Sequence, residues 1–281
     1  MTEHVQASPY AFPRQRPPVV MGILNVTPDS FSDGGAYFAL EAAVARALQI
    51  QEERAGILDI GAQSTRPGHR PVPPEEELRR LLPVLRALRG KLGIPISIDT
   101  YSPQVARAAL AMGAAIINDV SGAAAGEMAR AVLEYGAGWV LMHNGGGADA
   151  APRYAPDAVT AVRAALEELV GQAMACGLQR SQLCIDPGVG FGKSREDDLE
   201  LLANLPLLKL PGVACLVGTS RKRVISHAAG WEADDDRLAG TIAAHTVAQL
   251  GGADILRAHD VKEAVQAARA AFSIDKRRKI L

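Results

Sequence analysis

Aromatic residues are scarce in this chain, at 4% of 281, and no apolar run approaches the roughly 18–20 residues that would cross a bilayer. Cysteine is nearly absent: Cys176, Cys184 and Cys215 are odd in number and lack C-x-x-C spacing, which excludes a disulfide framework and a thiolate metal centre. They read as small buried hydrophobes in a reducing cytoplasm. Net charge is absent too, with 30 Lys+Arg against 31 Asp+Glu, so no general basic field draws the chain to nucleic acid or a membrane. What is present is 48% apolar and 22% charged residues, enough to bury a sizeable core and unlike a disordered chain.

Residues 1–18 hold Glu3, Arg14, Arg16 and four prolines where a signal peptide needs an apolar stretch, so they read as a loose or partly ordered arm of a protein that is not exported. The basic end, 276–281, reads as a solvated tail. Between them, from 19 to 275, no linker-like change in composition divides the chain, which fits one large domain.

Eight short apolar runs recur in that span: Val19 to Val26, Ile57 to Ile60, Ile94 to Ile98, Ala114 to Ile117, Trp139 to Met142, Leu183 to Ile185, Val213 to Val217, and Ile255 to Leu256. They lack polar alternation, as strands covered on both faces do, which points to a parallel sheet. Segments of helical spacing separate them: Leu40 to Arg54, Pro74 to Leu92, Pro103 to Met112, Gly126 to Tyr135, Ala158 to Cys176, Asp197 to Lys209, Leu238 to Leu250, and Val261 to Phe272 closes the series. Eight β-then-α units make a single (β/α)8 TIM barrel the expected fold.

Active sites of such barrels lie at the carboxyl ends of the strands, and polar residues collect there in all eight units. Asn25, Asp59, Asp99, Asn118, His143, Asp186, Thr219 with Ser220, and Arg257 with His259 follow the eight runs. Thr100, Asp119, Ser220 and Asp260 sit where helix caps belong. Asn25, Asp99, Asn118 and Asp186 end runs that should be buried, where an unpaired polar group costs about 1–3 kcal/mol, so a polar ligand is expected to partner them. Three cations, Arg221 to Arg223, would open a helix against its dipole, and with Arg257 and His259 on the next strand they suggest a phosphate. The glycines from Gly188 to Gly192 miss the P-loop spacing because Pro187 stands where glycine is required; they read as a tight loop beside Asp186. The six histidines contain no H-x-H pair, so a protein-bound zinc is not expected; a magnesium ion carried by a diphosphate asks for only one or two protein oxygens, such as that of Asn25.

The ordered blocks Ile23 to Gly35, Asp59-Ile60-Gly61 with Ser64 to Gly68, Ile98 to Thr100, Ile117 to Gly122, Met142-His143, Asp186 to Lys193, Gly218 to Lys222 and Arg257 to Val261 resemble the dihydropteroate synthase family of pterin-binding barrels. The resemblance runs from about residue 19 to about 272. It implies condensation of 6-hydroxymethyl-7,8-dihydropterin diphosphate with para-aminobenzoate to give 7,8-dihydropteroate and diphosphate, through diphosphate loss and arylamine attack on a pterin methylene cation. It also implies Mg2+, a homodimer and competition by sulfonamides. On the family's pattern Asp99, Asn118, Asp186 and Lys222 hold the pterin, with Met142 and Phe191 nearby. Asn25, Arg66, Arg257 and His259 hold the diphosphate, with Asn25 on the metal, and Phe31, Thr65, Pro67 and Ser220 shape the arylamine site. Asp99, Asp186, Lys222, Arg257 and His259 are then the catalytic set.

The loops 27–36 and 62–74, rich in Gly, Pro and Ser, are expected to close over the site. Gln63 departs from the family's usual glutamate, Ala62 from a common glycine, and His143 to Gly147 form an unusual block followed by a Gly-rich loop to Ala155. A non-catalytic pterin-binding paralogue and a corrinoid-type pterin methyltransferase are the alternatives. The Ser220 to Lys222 and Arg257-x-His259 cluster argues against the methyltransferase, which binds no diphosphate.

Overall fold

The protein was analysed as a computed structural model that describes residues 8–14, 16–27, 35–63, 72–146, 154, 157–231 and 236–278. In chain order the elements are β1 (Val19–Asn25), α1 (Gly35–Glu52), β2 (Ile57–Gly61), α2 (Pro74–Leu88), β3 (Ile96–Asp99), α3 (Pro103–Ala111), β4 (Ile116–Asp119), α4 (Gly126–Glu134), β5 (Gly138–Met142), α5 (Ala158–Ala175), β6 (Leu183–Asp186), α6 (Arg195–Ala203), α7 (Leu205–Leu208), β7 (Ala214–Val217), α8 (Arg223–Ala229), α9 (Leu238–Leu250), β8 (Ile255–Ala258) and α10 (Val261–Asp275). The strands pair in sequence order, all parallel, and β8 closes on β1. This is the expected TIM barrel.

Alternation along each strand divides the apolar residues into two cores. Leu58, Ile60, Ile98, Ile117, Leu141, Ile185, Val217 and Leu256 belong to the large cluster they share with the helices. Met21, Ile57, Ile116, Val140, Cys184, Leu216 and Ile255 form the smaller cluster inside the barrel. Two residues further along four of the same strands, the inward positions change character: Ile57 is followed by Asp59, Ile116 by Asn118, Cys184 by Asp186, and Ile255 by Arg257. The barrel is thus apolar at its base and polar at its mouth.

Helix α2 buries Leu81, Val84, Leu85 and Leu88 at helical spacing, with Glu77 one turn above them on the same stripe. Gly22 on β1 lets α1 and α10 approach: a Cβ there would stand 2.5 Å from Ile50 Cγ2 and 2.9 Å from Val261 Cγ2. Four strands, β3, β4, β6 and β8, extend a residue or two beyond the apolar runs and so include the polar residues that end them. β3 begins at Ile96 because Pro95 has no N–H to donate, although its carbonyl accepts from Leu58.

Two expected features are corrected. The single helix expected over 197–209 is broken at Asn204 into α6 and α7, with Pro206 in the first turn of the second. The three cations do not open a helix together, since α8 begins only at Arg223, with Lys222 at its N-cap. Arg221 has φ +58, which turns its side chain out to Asp260, Nη2 to Oδ1 at 2.5 Å and Nε to Oδ2 at 3.1 Å.

The described part of the N-terminal arm is packed against the barrel. Tyr10 N–H donates to Gly136 O at 2.8 Å and Phe12 N–H to Ser181 O at 2.9 Å. Their rings meet edge to face, 5.1 Å apart, and crowd Gly138, where a Cβ would lie 2.6 Å from Tyr10 Cδ1. Phe12 is 5% exposed and joins the interior cluster, so the arm closes the base of the barrel. Phe12→Ala is expected to cost about 3–5 kcal/mol in urea unfolding; a loss under 1 kcal/mol would show that the plug is dispensable.

Candidate active site

The mouth of the barrel is organised by one cation. Arg257, inward on β8, donates from Nε to Asp59 Oδ2 and from Nη2 to Asp99 Oδ2, each at 2.7 Å. Asn118 Nδ2 donates to the same Asp59 oxygen at 3.1 Å. Burial works against the Arg257 charge, but Asp59 and Asp99 outweigh it and hold the guanidinium above its ordinary value. Burial pushes Asp99 up to about 7; Arg257 pulls it back, and Asp59, Glu77 and Asp119 add to the rise. Asp59 Oδ1 and Asp99 Oδ1 are buried without a hydrogen-bond partner among the described residues. Two orphaned carboxylate oxygens at a cavity mouth call for donors on a ligand.

Register brings the expected pterin residues together. Asp99 is level with Asn118 across β3 and β4, and Met142 with Asp186 across β5 and β6. Asp186 Oδ1 accepts from Gly188 N–H at 2.7 Å, which leaves Oδ2 for a ligand. Lys222 donates from Nζ to Val189 O at 2.6 Å, and that atom lies 4.7 Å from the centre of the Phe191 ring. Burial pulls Lys222 down to about 8, while Asp186, Asp198 and Asp99 oppose the fall and Arg257 assists it. The left-handed turn at Arg221 thus sends Lys222 inward and its neighbour outward.

On the β8 side, Ser220 Oγ accepts from the His259 N–H at 3.1 Å and lies 3.0 Å from His259 Nδ1. Ser220, assigned by resemblance to the arylamine site, therefore anchors His259. Asn25 and His259 open on a polar cleft of 590 Å³ between α1 and α10, lined also by Arg46, Gln49, Arg221 and Asp260. Among the described residues no group of three or more His, Cys, Asp or Glu side chains could hold a metal ion. Asn25 Oδ1 lies over Gly61, 3.5 Å from where a Cβ would stand, so it can offer one oxygen at the mouth.

Phe31, Thr65, Arg66 and Pro67 lie outside the described residues, as do 28–34, 64–71 and most of 147–156. The root of the second loop is described. Tyr101 OH donates to Gln63 Oε1 and Gln63 Nε2 to Glu77 Oε2, both at 3.1 Å, at residues 63 and 77 that are buried. A glutamate at 63 would set two carboxylates against each other; the amide supplies the donor Glu77 lacks, which accounts for the departure at this position. The expected caps serve other partners: Thr100 Oγ1 accepts from Ser102 N–H and Asp119 Oδ1 from Ser121 N–H, while Asp260 holds Arg221. Asp59 and Lys193 were under-read in the sequence. Asp59 was visible as the polar end of the second apolar run, whereas Lys193 carried no signal beyond its glycine neighbours.

Residues 21–259 match the model of a family described as pterin binding enzyme. A dihydropteroate synthase from Synechocystis is 42% identical over 258 residues, 91% of this chain and 89% of that protein. The chain belongs to the dihydropteroate synthase family. Among solved members, the Xanthomonas albilineans dihydropteroate synthase with 4-aminobenzoic acid superposes with a TM-score of 0.86 at 47% identity, covering 92% of this chain and 93% of that one. The Yersinia pestis dihydropteroate synthase in a sulfonamide drug complex gives 0.84 at 35% identity, covering 92% and 94%. These likenesses extend over nearly the whole barrel.

The Arg257 bridge makes a quantitative prediction. Asp59→Asn leaves a buried guanidinium half-paired and is expected to cost about 3–5 kcal/mol in urea unfolding, as is Arg257→Met. The double variant should cost clearly less than the two added together; strict additivity would show that the pair is not coupled.

Proposed function

We propose that this chain is a dihydropteroate synthase, joining 6-hydroxymethyl-7,8-dihydropterin diphosphate to para-aminobenzoate with release of diphosphate. The observation that carries the reading is the convergence of Asp99, Asn118, Asp186 and Lys222 on one barrel mouth, with buried carboxylate oxygens still in need of donors. A pterin offers an exocyclic amine and a ring N–H, which Asp186 can accept together, and a carbonyl and ring nitrogen to which Lys222 can donate.

The carbon–oxygen bond of the pterin methylene breaks, and the electron pair leaves with diphosphate. Asp99 and Asp186 lie near the cation left behind and favour it; Arg257 and His259 face the departing anion. The arylamine nitrogen then forms the new bond and loses a proton. That amine is neutral at pH 7, so the protein's work is positioning and electrostatics rather than general base catalysis. Asn25 Oδ1 is the protein oxygen we assign to a magnesium ion, which would supply further positive charge at the leaving oxygens when bound. One amide is enough for an ion that keeps most of its shell on phosphate and water. Arg66 would add to the anion site, and Phe31, Thr65 and Pro67 to the arylamine site, where sulfonamides would compete.

We assign the enzyme to the cytoplasm, in keeping with three unpaired cysteines, and to a homodimer. The support for the dimer is an apolar face on α9 and α10: Val247, Leu250 and Ile274 are 48%, 42% and 73% exposed beside a groove of 480 Å³. Leu250→Glu with Ile274→Glu is expected to give monomers in analytical ultracentrifugation; an unchanged sedimentation coefficient would move the interface elsewhere.

Turnover with labelled para-aminobenzoate, with and without magnesium, tests the reading, because a binding-only paralogue would bind the pterin and make no dihydropteroate. Product that requires magnesium and disappears in Lys222→Ala is expected. Pterin binding should also weaken above pH 8, where the Lys222 ammonium is lost, and Lys222→Met should make that alkaline limb shallower. A flat profile to pH 9 would contradict the role given to Lys222.

A further inference from the structure

Lys193 closes the glycine-rich loop after β6 and has had no part in the chemistry so far. It is 4% exposed, and its Nζ donates to Gly188 O at 2.9 Å, Phe191 O at 3.0 Å and His143 O at 3.2 Å. An ammonium has three N–H donors, and all three are spent on main-chain carbonyls from two neighbouring strand ends. Only glycine allows those carbonyls to converge. Gly188 has φ +68 and a Cβ there would stand 1.9 Å from His143 O; Gly192 has φ +62 and a Cβ would stand 2.2 Å from Gly146 O. Gly188 O also accepts from Phe191 N–H at 3.0 Å and Phe191 O from Gly145 N–H at 3.4 Å, so without the cation it is His143 O that is left with no donor among the described residues, at a cost of about 1–3 kcal/mol.

The strapped segment carries the atoms that orient two pterin residues. Gly188 N–H fixes the Asp186 carboxylate, Val189 O receives Lys222, and the Phe191 ring lies beside that same ammonium. We propose that Lys193 is a positioning residue for pterin recognition: without touching the pterin, it ties the carbonyls of His143, Gly188 and Phe191 so that Asp186 and Lys222 stay turned to the ring. This rests on the pterin reading above.

Charge supports the geometry. Burial pushes Asp186 up, and Lys222, the Gly188 amide, Lys193 and Arg257 pull it back. Burial pulls Lys193 itself down to about 8, against Asp198, Asp186 and Asp197 and with Lys222. His143 is pushed down to about 4, by burial first and Lys193 second, and the nearby Cys184 and Cys215 thiols are pushed up, so none of the three carries charge at pH 7. A carboxylate accepts two N–H groups only when ionised, so pterin binding is lost as pH falls through the Asp186 value. Removing the Lys193 charge raises that value, and the loss begins at higher pH.

Calorimetry of 6-hydroxymethyl-7,8-dihydropterin diphosphate with magnesium tests this from pH 5 to 9 on wild type, Lys193→Met, Lys193→Gln and Cys215→Ala as a core-damage control. Lys193→Met should weaken binding at least tenfold at pH 7, raise the pterin KM in step, leave the para-aminobenzoate KM within twofold at saturating pterin, and move the acid limb to higher pH. Lys193→Gln, which keeps amide donors but no charge, should recover part of the affinity and leave the limb displaced. It carries the comparison alone if Lys193→Met does not fold. Cys215→Ala should bind as wild type does. Unchanged pterin affinity in the Lys193 variants with only a lowered Tm overturns the proposal, as does an arylamine KM that rises equally. Wild-type protein that fails to bind the pterin diphosphate overturns the functional reading itself.

Discussion

The site depends on a partly buried guanidinium held between two buried carboxylates. Arg257 joins β8 to β2 and β3 through Asp59 and Asp99, and Asn118 brings β4 to the same Asp59 oxygen. An ion pair this deep does not stabilise a fold better than apolar packing would, because both charges lose their water. Its value is directional. Four strands are tied above a largely apolar layer, and two carboxylate oxygens remain unsatisfied among the described residues. A barrel built only for stability would fill that level with aliphatic side chains.

The rest of the mouth takes its shape from backbone that only certain residues adopt. A left-handed Arg221 separates an outward guanidinium from an inward ammonium, and glycines at 188, 190 and 192 fold the loop after β6 back on the end of β5. Two lysines then divide that loop between them, Lys193 from within and Lys222 from the site. Polar groups that look alike in sequence thus serve different ends: Ser220 steadies His259, Asp260 restrains Arg221, and Asp186 accepts from the Gly188 N–H. Asn25 and His259 border a polar cleft that runs between α1 and α10.

Much of this was legible in the sequence because a parallel barrel writes a simple pattern: an apolar run, a polar residue at its end, then a helix. Asn25, Asp99, Asn118 and Asp186 could be picked out because each ends a run where a charge or amide has no bland explanation. What stayed hidden depends on contacts between segments distant in the chain. The Gln63 amide makes sense only once Glu77 and Tyr101 are seen beside it, and Lys193 only once His143 O arrives from β5. The packing of the arm was hidden for the same reason, since Tyr10 and Phe12 find their place only when the barrel has a base to close. The run Arg221 to Arg223 read as one cationic cluster because a one-dimensional pattern does not show a left-handed residue.

The most direct test is a crystal structure of the chain with dihydropterin diphosphate and magnesium. The account predicts the exocyclic amine and ring N–H of the pterin within hydrogen-bond distance of Asp186, Lys222 on the opposite polar edge, and Arg257 still bridging Asp59 and Asp99. A pterin seated elsewhere, or an Arg257 swung away from both carboxylates on binding, would contradict it.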